Sequence, residues 1–179
     1  YIASLHETHY EYAKYMLNNK KHVLCEKPAV LKKAQAEELY SLAKENNVVF
    51  MEAVKTAYCP GFHAMMAAAK SGKIGRIIDV EAAFSRLTPV NTREYMAQDY
   101  NGSFLEFGSY VCMPVFELLG CDYDDVRFNS MRAVNGVDAY TKAVFSFGGK
   151  SAEVKTGLGV KTEGQLLISG TNGYILAKS

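Results

Sequence analysis

The stretch Lys21-His22-Val23-Leu24-Cys25-Glu26-Lys27-Pro28 decides how this chain is read. His22 to Cys25 is a short apolar run that reads as a buried strand, and Pro28 stops it. On its N-terminal side, Thr8-x-x-Glu11 has capping-box spacing and predicts a helix over 9–19. Ala13, Met16 and Leu17 give that helix one apolar face. Before it, Tyr1-Ile2-Ala3-Ser4-Leu5 reads as a strand, so the chain opens inside an element. On the C-terminal side a helix is predicted over 31–46, with Ala36, Leu39, Leu42 and Ala43 as its stripe. Residues 48–52 follow as a third strand. Strand-helix-strand-helix-strand with short links is the pattern of a parallel sheet covered by helices.

From Tyr58 the grammar changes. A helix is expected over 61–71, ended by Gly72 as a left-handed cap. Residues 76–86 alternate, with Ile78, Val80, Ala82 and Phe84 on one face, and this period of two predicts an antiparallel strand buried on one side. A helix over 103–119 follows. Strand-like runs come at 126–134, 140–148, 151–158, 164–169 and 173–177. They are divided by Asn135-Gly136, Gly148-Gly149 and Asn172-Gly173, the last two suited to tight hairpins. The fold class is therefore α/β plus α+β. Residues 1–57 carry the parallel sheet, and residues 58–179 an open, mainly antiparallel sheet covered by helices.

Composition excludes several function classes. The chain has 179 residues, 49% hydrophobic and 22% charged, with net charge +1. Up to Ala57 there are eight Lys/Arg against seven Asp/Glu, and twelve against twelve afterwards. Neither part has the basic excess of a nucleic-acid binder. No apolar run approaches the ~18 residues of a membrane span, and no signal peptide opens the chain, so a cytoplasmic protein is expected. Cys25, Cys59, Cys112 and Cys121 form no C-x-x-C pair, and they are expected reduced and mostly packed as small apolar groups.

Three tempting motifs fail on spacing. Gly149-Lys150-Ser151 resembles the end of a P-loop, but Val144 stands where its first glycine belongs. His6-Glu7-Thr8-His9 is one residue short of the zincin pattern, and no acidic or cysteine partner supports a metal there, so none is assigned. Asn101-Gly102-Ser103 is a glycosylation sequon that acts only on a secretory route. No G-x-G-x-x-G follows any strand.

Other motifs hold. Cys25-Glu26-Lys27-Pro28 falls at the C-terminal end of a parallel strand, where open α/β sheets place ligands. Taken with Ile2-Ala3-Ser4 and His9, with Lys21 to Cys25 before it and with Gly72-Lys73-Ile74-Gly75-Arg76-Ile77 after it, this pattern resembles the Gfo/Idh/MocA oxidoreductases throughout. These are nicotinamide-dependent dehydrogenases with a Rossmann domain and a C-terminal α/β domain. Met51-Glu52-Ala53 with Thr56 and Pro60 looks most like the branch holding dihydrodiol dehydrogenases and some sugar dehydrogenases. The resemblance is firm over residues 1–120 and diffuse beyond. It makes residues 1–57 the C-terminal portion of a dinucleotide-binding domain and residues 58–179 a substrate and oligomerisation domain.

The resemblance implies a second catalytic segment on a helix. Glu106-Phe107-Gly108-Ser109-Tyr110 matches the family's Asp-x-Gly-x-Tyr version, with glutamate in place of aspartate. Glu106 and Tyr110 lie one helical turn apart on one face. Gly108 would let a substrate or cofactor ring approach the backbone, and Pro114 should kink the helix at Tyr110. The implied reaction is hydride transfer between NAD or NADP and a carbinol of a sugar, polyol or dihydrodiol. Tyr110 is then the base, Lys27 the cation beside it, and Glu106 a residue that orients Lys27 or binds a second hydroxyl. Tyrosine has a pKa of about 10, and a cation within about 4–6 Å lowers it by roughly 1–3 units. Ala3, Ser4, His9, Glu26 and Lys27 would line the cofactor.

In the family the phosphate-binding glycine loop precedes the strand at which this chain begins. In the order 3-2-1-4-5-6, Tyr1–Leu5 corresponds to strand four, with its neighbour missing. The chain by itself is therefore expected to bind dinucleotide weakly, to lack dehydrogenase activity and to self-associate through exposed sheet edges. The alternatives are a non-catalytic ligand sensor or an oligomerisation module on the same fold. The retained Lys27 and Tyr110 argue against the sensor.

Overall fold

The computed structural model describes residues 1–96 and 100–178. They divide into two compact units, Tyr1–Lys55 and Thr56–Ser179. The first contains α1 (His6–Asn18), β1 (Val23–Cys25), α2 (Lys33–Glu45) and β2 (Phe50–Glu52). β1 and β2 pair in parallel, with Val23 opposite Phe50 and Cys25 opposite Glu52. The strand expected over Tyr1–Leu5 contracts to a single parallel bridge from Ile2 to Cys25. Helix α1 starts earlier than the capping box implied. Thr8 sits inside its first turn and donates to the Leu5 carbonyl at 2.8 Å, so Leu5 is the N-cap residue. The buried stripe of α1 is His6, His9, Ala13 and Leu17, and Met16 faces outward. Leu17, Leu39 and Phe50 from the two helices and β2 close the core around Val23 and Cys25.

The second unit contains α3 (Pro60–Lys70), β3 (Ile77–Ser85), α4 (Ser103–Leu119), β4 (Asp125–Arg132), β5 (Asp138–Phe147), β6 (Lys150–Gly157), β7 (Gln165–Gly170) and β8 (Gly173–Lys178). Gly72, just past α3, takes φ +81, the left-handed cap its position predicts. The strands form one six-stranded sheet in the order β4-β5-β6-β3-β7-β8. β3 pairs antiparallel with β7 but parallel with β6, so the sheet is mixed where alternation alone suggested an antiparallel one. The cause is topological. The chain leaves β3 through α4, enters β4 at the far edge, and two hairpins return β6 beside β3 in the same direction.

One face of this sheet is apolar and covered. Val80, Ala82, Ala143, Phe145 and Val154 pack there against Val111 and Val115 of α4. Gly148 and Gly149 form the two-residue loop between Phe147 and Lys150, both with positive φ (55° and 90°), as a type I′ hairpin requires. The β7–β8 loop is Thr171-Asn172, one residue earlier than the Asn-Gly signal suggested, because Gly170 pairs directly with Gly173. Helix α4 continues past Pro114 to Leu119.

Candidate active site

Lys27 stands half-buried in the loop that leaves β1, between residues whose backbone is held from several sides. The Glu26 amide donates to the Ile2 carbonyl at 2.9 Å, and the Tyr1 hydroxyl donates to the Glu26 carboxylate. Beyond Lys27, the Ala29 amide donates to Glu52 Oε1 at 3.0 Å. His9 is fully buried, and its two ring nitrogens face the carbonyls of Pro28 (2.8 Å) and Ser4 (3.2 Å). The imidazole therefore ties the loop after Ile2 to the loop after β1. Ala3 and Ser4 are exposed and small, and they follow the Ile2 bridge to β1. The Cys25 thiol is buried. Burial pushes it up to about 12, with Glu52 and Glu26 adding to the effect.

In the second unit, α4 carries Glu106 and Tyr110. The helix is aimed by its N-terminus. The N-cap residue is Gly102, which has no side chain to cap with, and Asp138 from β5 does the work instead. Asp138 Oδ2 accepts from the Phe104 amide (2.9 Å), the Ser103 hydroxyl (2.6 Å) and the Thr141 hydroxyl (2.8 Å). A Cβ on Gly102 would stand 1.9 Å from Asp138 Oδ1, and its φ is +132°, so the position demands glycine. Gly108, expected to admit a ligand ring, is covered by a residue of its own helix. A Cβ there would meet the Phe104 ring at 3.3 Å.

Tyr110 is half-buried beside Phe84, with ring centroids 5.9 Å apart, and Phe84 also meets Phe107 edge-on at 4.9 Å. Glu106 is buried, and Arg93 Nη2 stands 3.6 Å from its Oε2. Arg93 comes from a short 3-10 turn, Arg93–Tyr95, that also supplies the buried Glu94. Glu94 is shared: Arg86 Nη2 donates to its Oε1 at 3.1 Å, and Arg93 Nε lies 3.9 Å away. Burial is the largest single influence on Glu94 and pushes its pKa up. Hydrogen bonds from Thr92 and its own amide, with the two arginines, outweigh that and hold it below the usual carboxylate value. Arg86 lies over the Phe107 ring at 5.8 Å. Arg86, Arg93, Glu94 and Glu106 are thus linked by ion pairs beside Phe107.

Two family models together cover nearly the whole chain. "Oxidoreductase family, NAD-binding Rossmann fold" matches residues 1–54, and "GFO/IDH/MocA C-terminal domain" matches residues 62–176. The chain belongs to the GFO/IDH/MocA family. Among curated members, scyllo-inositol 2-dehydrogenase (NADP(+)) IolU of Bacillus subtilis is 35% identical over 162 residues, covering 85% of this chain and 48% of that protein. Trans-1,2-dihydrobenzene-1,2-diol dehydrogenase of Xenopus laevis is 28% identical over 180 residues, covering 98% and 54%. The chain therefore spans about half the length of the curated relatives it matches. Among solved structures, GenD2 from gentamicin A biosynthesis in complex with NAD superposes with a TM-score of 0.90 at 21% identity, covering 98% of this chain and 53% of that one. At that identity the likeness speaks for the GFO/IDH/MocA fold alone. An oxidoreductase of Bacillus cereus matches with a TM-score of 0.83 at 26% identity, covering 99% and 52%.

Of the residues expected at a GFO/IDH/MocA site, the structure brings Ala3, Ser4, His9, Glu26 and Lys27 together around one loop cluster of the first unit. Glu106 and Tyr110 share one face of α4 in the second. Sequence reasoning missed Asp138, Arg93 and Glu94. A glycine at a helix N-cap was the available signal for Asp138, since such a helix must find its cap elsewhere in the chain. Nothing local marked Arg93, which meets Glu106 across thirteen positions.

Proposed function

We propose that the protein carrying these residues transfers hydride between a nicotinamide cofactor, NAD or NADP, and a carbinol carbon of a polyol, sugar or dihydrodiol. Membership of the GFO/IDH/MocA family over both units is the observation that carries the reading. The names of its relatives, an inositol dehydrogenase and dihydrodiol dehydrogenases, support the substrate class. No helix among the described residues is long and apolar enough to cross a membrane.

The loop cluster fits such a cofactor. Exposed Ala3 and Ser4 offer backbone without bulk, and Lys27 offers a cation at the strand ends. The bound cofactor supplies the carbon that accepts or gives hydride. Lys27 orients the carbinol oxygen and stabilises the negative charge that grows on it. Tyr110 takes the hydroxyl proton, which must leave as hydride leaves. Glu106, one turn away, orients a neighbouring hydroxyl. His9 and Glu52 keep the Lys27 loop in place through the Pro28 carbonyl and the Ala29 amide.

Lys27→Ala and Tyr110→Phe are expected to lower turnover of scyllo-inositol by NADP+ at least a hundredfold, with thermal unfolding little changed. Near-normal turnover in both variants sinks the assignment. We also propose that copies of the chain associate through the face of the six-stranded sheet opposite α4.

A further inference from the structure

The family pattern places aspartate where this chain has Glu106, and the longer side chain has a use that the pattern does not supply. Glu106 is buried on the face of α4 that carries Tyr110, with its side chain 8% exposed. A carboxylate held at that depth is costly unless a cation answers it. Arg93 answers it, at 3.6 Å from Oε2. The extra methylene carries the carboxylate about 1.5 Å further from the helix axis, toward the 3-10 turn on which Arg93 sits.

The neighbouring charges show why Arg93 and not Arg86 fills this place. Arg86 makes the closer contact with Glu94, at 3.1 Å, and its guanidinium lies over Phe107. Arg93 is 3.9 Å from the same carboxylate through Nε and turns Nη2 toward Glu106. Glu94 therefore steers Arg93, and Arg93 in turn steers Glu106. Arg86, Arg93, Glu94 and Glu106 thus form a run of neighbouring opposite charges. The alternation of sign along this run favours one arrangement of the Arg93 side chain.

We infer that Arg93 is a positioning residue for the Tyr110 site: it fixes Glu106, and so sets where the second hydroxyl of a polyol substrate is held. The inference rests on the hydride-transfer reading given above. The test is a set of variants of the protein carrying these residues, assayed with scyllo-inositol and NADP+ and followed by thermal unfolding. Arg93→Met is expected to lower kcat/KM about tenfold to a hundredfold, and Arg93→Lys to restore part of it. Arg86 touches Glu94 but not Glu106, so Arg86→Met should lower kcat/KM less than Arg93→Met does.

The deciding measurement is the cycle with Glu106→Gln. If Arg93 acts through Glu106, adding Arg93→Met to Glu106→Gln costs little more than Glu106→Gln by itself. Full additivity overturns the inference, as does equal loss in Arg86→Met, which would make the cluster a folding element only. Tyr110→Phe separates the two levels. Lost activity in Tyr110→Phe with a normal Arg93→Met removes the inference alone, whereas a normal Tyr110→Phe removes the site reading and the inference with it. The same cycle read by thermal unfolding does not depend on turnover. Coupling of Arg93 and Glu106 is expected there too, and independent effects on unfolding overturn the ion pair itself.

Discussion

The residue that most deserves mutation outside the reacting groups is Asp138. Three donors converge on one of its oxygens, two of them from the first turn of α4. An N-cap contributes about 1 kcal/mol, and hydrogen bonds to a charged acceptor about 1.5–3 kcal/mol each. Asp138→Ala is therefore expected to destabilise the chain by about 3 kcal/mol, lowering Tm by roughly 6–12 °C in a calorimeter. An unchanged Tm would show that the cap is replaceable. Gly102→Ala tests the same junction from the other side. It adds a Cβ against Asp138 Oδ1 at a backbone angle that L-residues avoid, and should cost about 2 kcal/mol or more. Glu106→Asp probes the site itself. Shortening the side chain draws the carboxylate back from Arg93, so Arg93→Met should cost less activity in that background than in the parent.

At the scale of elements, what could be read in advance follows the range of the forces involved. Helix α4 over Ser103–Leu119 and the Gly148-Gly149 hairpin were legible because apolar period and turn chemistry are local. The start of α1 was not, because Thr8 and Glu11 imitate a cap while the buried faces of His6 and His9 extend the helix backward. The parallel pairing of β3 with β6 was hidden as well, since direction depends on four elements that intervene in the chain. The site shows the same division. Lys27, Glu106 and Tyr110 lie in contiguous motifs, whereas Arg93, Glu94 and Asp138 act across loops. The sheet also predicts its own pH limits. Burial, the largest influence on Glu153, pushes its pKa up, but hydrogen bonds from Lys142 and Lys155 outweigh it and hold the value below 4.5. Lys155, hydrogen-bonded to Glu153, is raised above 10.5. The stability from Glu153 is then present above pH 4.5 and lost as pH falls through its lower native value. That from Lys155 is present below pH 10.5 and lost as pH rises through its higher native value. Urea unfolding at several pH values should fall off at both ends, and Glu153→Gln should flatten both limbs. A Glu153→Gln profile that follows the parent at both ends would remove the account.

For the whole molecule, the surface of interest is the sheet face opposite α4. Register places Lys142, Lys155 and Lys178 in one cross-strand row, with Ala83 and Gln165 between them. The next row holds Val144, Glu153, Glu81, Leu167 and Leu176. A cationic row beside an acidic one is self-complementary, because a two-fold axis can lay the lysines of one copy over the glutamates of another. Leu176, Tyr174 and Met131 toward the two ends are exposed apolar groups that such a contact would cover. The proposed association through this face thus has an ionic centre and apolar ends, and salt distinguishes their shares. Exposed charges are screened beyond about 10 Å at 0.1 M salt, while apolar burial is not weakened by it. Sedimentation at micromolar concentration is expected to show a dimer or larger species, loosened about tenfold in Kd between 0.05 and 0.5 M salt. Glu81→Lys should push the chain toward monomer at low salt, since it sets like charges across the axis. A monomer under every condition, with Glu81→Lys indistinguishable from the parent, would remove the face from consideration as an interface.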